Sequence, residues 1–211
     1  MEYNKVEWLK RIRLRSDISG YLTHLTKAND KSDAIDILIK ILKEKKIIGS
    51  TPDIGYIIGT SNAVCFQDAP VYGLSQNLIH EQYVRENEKK ESKSTYIPKI
   101  RYVGFGLGFS KKYAFEKGAR PVVYEIKEIA KSILPKSDWW RIVSFDLSDD
   151  QNIIDWTHER EWRVKGDFAF ELNEVYVYLV NGKSYKDFLA KAGDEIIKGI
   201  KGIVVLDPVL T

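Results

Sequence analysis

The densest gathering of chemistry-bearing side chains is Trp156-Thr157-His158-Glu159-Arg160-Glu161-Trp162-Arg163-Val164. Two carboxylates, two guanidinium groups, an imidazole and two indoles share one short run. That is too aromatic for an ordinary solvated face and too charged for an ordinary core. Read as an extended segment, it puts Glu159, Glu161 and Arg163 on one face and Arg160, Trp162 and Val164 on the other, because side chains alternate with period two. Two readings stay open. One is a strand lining a cleft, with Glu159 and Glu161 offered to a ligand. The other is an ion-pair lattice on a sheet surface, glutamates to arginines.

Other chemistries find less support. Among the 3 histidines, His158 opens His158-Glu159-x-x-Trp162, where a zinc protease helix needs a second histidine at position 162. No metal site is expected. No Walker lysine motif and no G-x-S-x-G elbow occurs. Cys65, the single cysteine, sits in the apolar run Ala63-Val64-Cys65-Phe66 and reads as a buried thiol, so neither a disulfide within the chain nor a cysteine zinc cluster can form. His80 falls in a candidate helix and reads as a surface or partly buried residue. His24 follows Thr23 on a short strand directly before a polar turn. By itself it reads as a structural histidine, and it gains interest only when paired with Glu159-x-Glu161.

The elements that must position these groups follow from periodicity. Val6 to Leu14 reads as a short basic amphipathic helix, and Tyr21 to Thr26 as a strand. Asp33 caps a helix bearing Ala34, Ile35, Leu38, Ile41 and Leu42 at helical spacing, with Gly49 as its stop. Ile54 to Ile58 and Ala63 to Phe66 read as strands around the turn Gly59-Thr60-Ser61-Asn62. A helix over Leu74 to Arg85 runs into a polar tract, 86–99, expected as a mobile loop or frayed helix end. Arg101 to Phe109 reads as a strand whose Gly104, Gly106 and Gly108 share one face, leaving room for something flat or for another backbone. Phe109 stands where the dinucleotide fingerprint needs its third glycine. Ser110 caps a short helix, Val122 to Ile126 is a strand and Glu128 to Leu134 a helix. Trp139 to Phe145 reads as a strand. Val175 to Val180 alternates as another, Asn181-Gly182 is a turn, a helix covers Tyr185 to Lys191, and Ile203 to Leu206 closes the sheet. The fold class is α+β, without regular βαβ alternation.

Bulk properties fit that picture. The chain has 211 residues, 44% of them hydrophobic, with 5 Trp, 12 Tyr and 8 Phe. That suffices for one folded domain over 1–211 with a basic helix in 1–20 and the polar loop as appendages. A net charge of +3 demands no nucleic-acid partner. No secretory signal is seen and no run approaches the ~20 apolar residues of a membrane helix, so a cytoplasmic, non-membrane protein is expected.

Tyr21-Leu22-Thr23-His24-Leu25, followed by a helix ending in Ile37-Leu38-Ile39-Lys40-Ile41-Leu42-Lys43 and by Ile47-Ile48, resembles the opening of the DarT-type ADP-ribosyltransferases. Glu161-Trp162-Arg163-Val164 is similar to their late strand, and Glu159-x-Glu161 to the E-x-E element of mono-ADP-ribosyltransferases. The phrases Val64-Cys65-Phe66-Gln67-Asp68-Ala69-Pro70, Gly118-Ala119-Arg120-Pro121-Val122-Val123-Tyr124 and Glu-Arg-Glu-Trp-Arg resemble bacterial abortive-infection proteins of the AbiGi kind, some of which are described as antitoxins. The resemblance covers roughly residues 20 to 170. It implies an ADP-ribosyltransferase-like fold of mainly antiparallel sheets with flanking helices, NAD as the donor substrate, and a place in phage defence or a toxin–antitoxin system. It further implies that His24 bonds a ribose, Glu161 steadies the oxocarbenium-like charge as nicotinamide leaves, and Glu159 orients or deprotonates the acceptor. Arg163 and Arg120 would meet pyrophosphate or instead balance the glutamates. Tyr56 or Tyr102 would stack on nicotinamide or simply belong to the core or the sheet surface. The acceptor would be a nucleic-acid base or a protein side chain, with Lys89, Lys90, Lys93 and Lys99 near any nucleic-acid phosphates. A second expectation is a non-catalytic antitoxin or sensor that binds a partner protein or nucleotide. That family's arginine after the second strand and its Ser-Thr-Ser element find no counterpart here.

Overall fold

The structure is a computed structural model that describes residues 3–29, 32–53, 56–91 and 103–210. The strands are β1 (Tyr21–Leu25), β2 (Lys46–Ile47), β3 (Ala63–Gln67), β4 (Gly106–Ser110), β5 (Arg120–Pro121), β6 (Val123–Glu125), β7 (Ile142–Ser144), β8 (Glu161–Lys165), β9 (Phe168–Ala169), β10 (Val175–Leu179) and β11 (Gly202–Val205). The α-helices are α1 (Lys5–Arg13), α2 (Ala34–Glu44), α3 (Val71–Glu91), α4 (Lys111–Glu116), α5 (Lys127–Ile133), α6 (Gly182–Ala192) and α7 (Asp194–Gly199). A seven-stranded sheet runs in the order β11-β10-β4-β1-β3-β8-β5. Its pairs are antiparallel except β10 with β11, which the α6–α7 crossover makes parallel. Two small sheets pair β2 with β9 and β6 with β7, the latter parallel.

Alternation decides which side each residue takes. Val64, Phe66, Leu107, Phe109, Val164, Val175, Val177 and Leu179 turn to one face and join α2, α6, α7 and β9 in the main core. There the rings of Phe66, Phe109 and Phe168 meet edge to face at 5.0 to 6.1 Å between centroids, an arrangement aromatic quadrupoles favour. The opposite face is covered differently at its two ends. Over β10 and β11, Leu78 of α3 packs with Tyr178 and Leu206. Over β3 and β8 the face is polar, with Cys65, Gln67, Glu161 and Arg163 in register.

Most expected elements form, with instructive departures. Helix α2 is capped by Asp33, whose side chain accepts from Asp36 N–H at 2.8 Å, but it ends at Glu44 in a left-handed Lys45 (φ 51°) rather than at Gly49. Tyr56 to Ile58 is irregular rather than a strand, and Ile54 and Gly55 lie outside the described residues. Helix α3 continues through Glu91, six residues into the tract read as a loop, of which 92–99 lie outside the described residues. Much of the strand read over Trp139 to Phe145 is a 3-10 helix, Lys136–Arg141, before β7. Asn181, read as part of a turn before a helix from Tyr185, caps α6, which already begins at Gly182; its side chain accepts from Ser184 N–H at 2.9 Å. The glycine reading fits β4: a Cβ on Gly108 would stand 2.5 Å from the Tyr178 ring, and one on Gly106 would stand 2.5 Å from the His24 carbonyl oxygen. A flat ring and a backbone do occupy that face. No helix among the described residues is long and apolar enough to cross a membrane.

Candidate functional site

The run from Trp156 to Val164 is not extended throughout. Thr157–Glu159 winds into a 3-10 turn, and Arg160 takes the left-handed region at φ 45° before β8 begins at Glu161. Asp155 starts the turn by accepting from both Thr157 N–H (2.8 Å) and Thr157 Oγ1 (2.6 Å). Arg160 then reaches away to donate to the Asp17 carbonyl at 2.5 Å. The shared strand face expected for Glu159 and Glu161 is therefore replaced by a corner. Both carboxylates nevertheless border the same space.

Glu161 and Arg163 form one buried ion pair. Arg163 is 2% exposed and Glu161 7%. Arg163 Nε donates to Glu161 Oε1 at 2.7 Å and Nη2 to Oε2 at 3.2 Å, the bidentate fork that suits a carboxylate. Nη1 donates to the carbonyls of Trp140 (2.9 Å) and Ile142 (3.0 Å), tying β8 to β7. Burial opposes the Arg163 charge, yet Glu161 holds its pKa above the ordinary value. Behind the carboxylate, the Glu161 backbone N–H donates to Tyr124 Oη at 2.7 Å. Burial and the nearby Glu161 charge push the Tyr124 phenol up to about 12. The ion-pair alternative thus holds for this pair, and it sits in the wall of a cleft.

That cleft has two lobes. The larger, about 640 Å³, is lined by Tyr56, Cys65, Val143, Glu159, Glu161 and Arg163 among others, and α5 closes it with Lys127 and Lys131. The smaller, about 240 Å³, is lined by His24, Gln67, Cys65, Glu159 and Glu161 together with Ile48 and Ser50. Both volumes fall at or near the range of small-molecule sites. Their shared residues, Ser50, Cys65, Glu159 and Glu161, make them neighbours.

The smaller lobe opens where the sheet parts. β1 meets β3 at a single register pair, Thr23 opposite Gln67. One residue further on, His24 Nδ1 lies 2.9 Å from the Cys65 carbonyl and bridges the gap. A carbonyl only accepts, so Nδ1 carries the proton and Nε2 is left as an acceptor in the neutral ring. Burial lowers the His24 pKa from 6.5, against the opposing pull of the Cys65 carbonyl, and keeps the ring neutral. The Phe66 ring packs edge-on at 5.9 Å and fixes its plane.

The remaining candidates divide. Tyr56 stands at the mouth of the large lobe, 77% exposed, its ring 6.3 Å from that of Trp156. Trp156 in turn lies 6.0 Å from His158. Arg120 borders neither lobe. Its guanidinium donates to the carbonyls of Phe115 (2.9 Å) and Ala119 (2.7 Å) and stacks 4.0 Å over the Phe115 ring. Tyr102 lies outside the described residues, as do Lys93 and Lys99. The Cys65 thiol is pushed well up by burial, with Glu161 adding to the effect, and stays protonated. No group of His, Cys, Asp and Glu among the described residues has the arrangement of a metal site.

Sequence reasoning missed three lining groups. Gln67, 6% exposed, lines the small lobe, and its Oε1 is buried without a hydrogen-bond partner. Lys127 and Lys131 are invisible as site residues until the β6–β7 pair sets α5 across from β8. No protein-family model matches the chain, and no curated protein or solved structure matches it either.

Proposed function

We propose that this cleft binds NAD and breaks its N-glycosidic bond, passing the ADP-ribosyl group to an acceptor nucleophile. The observation that carries the reading is that His24, Glu159 and Glu161, from distant parts of the chain, border one divided cleft. In the proposed step the bond between the ribose anomeric carbon and the nicotinamide ring nitrogen breaks, and its electron pair leaves with nicotinamide. Positive charge builds on the sugar, and the Glu161 carboxylate, held in place by Arg163, steadies it. His24 Nε2 accepts from a ribose hydroxyl. Glu159 takes the proton of the acceptor as its oxygen or nitrogen bonds to the anomeric carbon. Tyr56 offers a ring for stacking at the mouth. The resemblance to abortive-infection proteins supports a role in bacterial phage defence or a toxin–antitoxin system.

One observation favours a second reading, a non-catalytic antitoxin or sensor that binds a nucleotide or a partner protein. Both Glu161 oxygens are already engaged by Arg163. A carboxylate so matched holds a ligand more readily than it stabilises new charge. The test is to incubate the protein with NAD and follow nicotinamide release and NAD binding together, for wild type, Glu159→Gln and Glu161→Gln, at a temperature where circular dichroism shows all three folded. Transfer predicts release by wild type that falls about a hundredfold or more in both variants. NAD binding without release establishes the second reading. If wild type neither binds nor cleaves NAD, the NAD proposal is wrong.

A further inference from the structure

We infer that Lys127 and Lys131 form the anion seat of this cleft and take the diphosphate of a nucleotide whose sugar lies toward β8. The inference rests on the cleft holding a sugar nucleotide and goes further by assigning which groups hold its phosphates.

The sequence offered Arg163 and Arg120 for that task, and the structure commits both elsewhere. Arg163 directs three nitrogens at Glu161 and two backbone carbonyls. Arg120 is turned to the end of α4 and away from both lobes. The Glu161 charge is likewise matched by Arg163. Two other cations line the larger lobe, and both come from α5. Lys127 and Lys131 are four residues apart, so their side chains leave the same face of the helix with Cβ atoms about 5–6 Å apart. Among the described residues neither makes an ion pair with a carboxylate. Lys131 Nζ lies 5.2 Å over the Trp139 ring, which steers the half-buried side chain without neutralising it.

This spacing selects a ligand. Two ammonium groups at the reach of adjacent helical turns match two neighbouring phosphates, whereas a single carboxylate would engage one. Val143 and Ser144 of β7 lie beside them, and the Glu161–Arg163 wall borders the same lobe. A ligand that puts its diphosphate against α5 thereby brings its sugar to Glu159 and Glu161, with Tyr56 at the mouth for a base.

The experiment measures binding of ADP-ribose, inorganic pyrophosphate and adenosine to the full chain by calorimetry, in wild type, in Lys127→Met/Lys131→Met and in Lys127→Arg/Lys131→Arg. Lys127 is exposed and Lys131 half-buried, so the fold should tolerate both double variants, as a melting curve checks. The expected result is that the Met variant binds ADP-ribose about tenfold more weakly or worse and loses pyrophosphate, while adenosine is unchanged and the Arg variant retains both anions. Wild-type ADP-ribose affinity should also fall more steeply with salt than that of the Met variant. Equal affinity of wild type and Met variant for both anions overturns the assignment, as does failure of wild type to bind any phosphate-bearing probe. Lysine-dependent pyrophosphate binding without NAD binding keeps the anion seat and removes the NAD reading. Undiminished NAD binding by the Met variant does the reverse.

Discussion

Strands β3 and β8 carry two different proteins on their two faces. Phe66, Val64 and Val164 enter the main core, while their immediate neighbours Cys65, Gln67, Glu161 and Arg163 border the cleft. Backbone, twist and register are common to both sides, so the contrast isolates the side chains. On the core face, stability comes from non-directional burial and from rings that meet edge to face. On the cleft face, it depends on a few directional contacts, and each group that loses its partner is left as a buried charge or an orphaned dipole. A polar wall of that kind fixes geometry, which a ligand site needs and a core does not.

The largest expected effects set the two faces against each other. Phe66→Ala, which removes a ring touching Phe109 and Phe168, should cost about 3–5 kcal/mol. Arg163→Met should cost about as much, because Glu161 stays behind as a buried unpaired charge. The faces should then part company in double variants. Adding Glu161→Leu to Arg163→Met should restore a large share of the loss, since the stranded charge is gone, although the Trp140 and Ile142 carbonyls still lack their donor. No second substitution on the core face should rescue Phe66→Ala in that way. Chemical denaturation midpoints at constant slope, each compared with wild type, give these values. If the double variant is no more stable than Arg163→Met, charge matching is not what holds the cleft wall together.

A smaller effect reads the place where the faces join. His24 projects to the same side of β1 as Leu22, yet it lies at the parting of β1 and β3. Burial lowers its pKa below 6.5 in the folded chain. Above that value, folded and unfolded states are both neutral and pH has no leverage through this group. As pH falls through 6.5 the unfolded chain takes up a proton that the folded chain refuses, so stability declines toward acid. For one proton the slope reaches at most about 1.4 kcal/mol per pH unit. The difference in unfolding free energy between wild type and His24→Gln, measured from pH 7.5 to 5, should display that slope while carboxylate titrations cancel. A flat difference would mean that His24 is hydrated well enough to titrate normally, and that the gap is open to water.

The core face was legible because it obeys one rule. Val175–Leu179 alternates, Ala63–Phe66 is an apolar run after a turn, α2 repeats its apolar residues at helical spacing, and Asp33 and Ser110 announce helix starts. The cleft face was legible in its composition and only partly in its geometry. Glu161 and Arg163 pair as alternation allows, but nothing in Arg160 signals a left-handed turn, since a non-glycine residue at positive φ is set by its surroundings: here the Asp17 carbonyl and the Asp68 N–H that donates to the Arg160 carbonyl. Lys45 ends α2 by the same unannounced device. Helix α3 outran its apolar pattern because the charged tract beyond Arg85 is rich in good helix formers. Nothing in the sequence marks Lys127 and Lys131 as site residues, and only the pairing of β6 with β7 sets α5 beside the cleft.

The smallest predicted effect is also the sharpest test of the contrast between the faces. Gln67 stands opposite Thr23 and Glu161 in the sheet, with its Oε1 buried and without a partner. In a core, such an atom is a defect, costing about 1–3 kcal/mol of desolvation that no bond returns. Gln67→Met keeps the length of the side chain and removes the stranded acceptor. It should therefore raise stability by about 1 kcal/mol, seen as a higher melting temperature with an unchanged denaturant slope. Natural chains lie near a stability threshold and retain costly groups where function needs them. A rise in stability accompanied by weaker nucleotide binding would mark Gln67 as a group kept for the ligand. A fall in stability would show instead that Oε1 is bonded in solution and that the cleft wall is as fully satisfied as the core behind it.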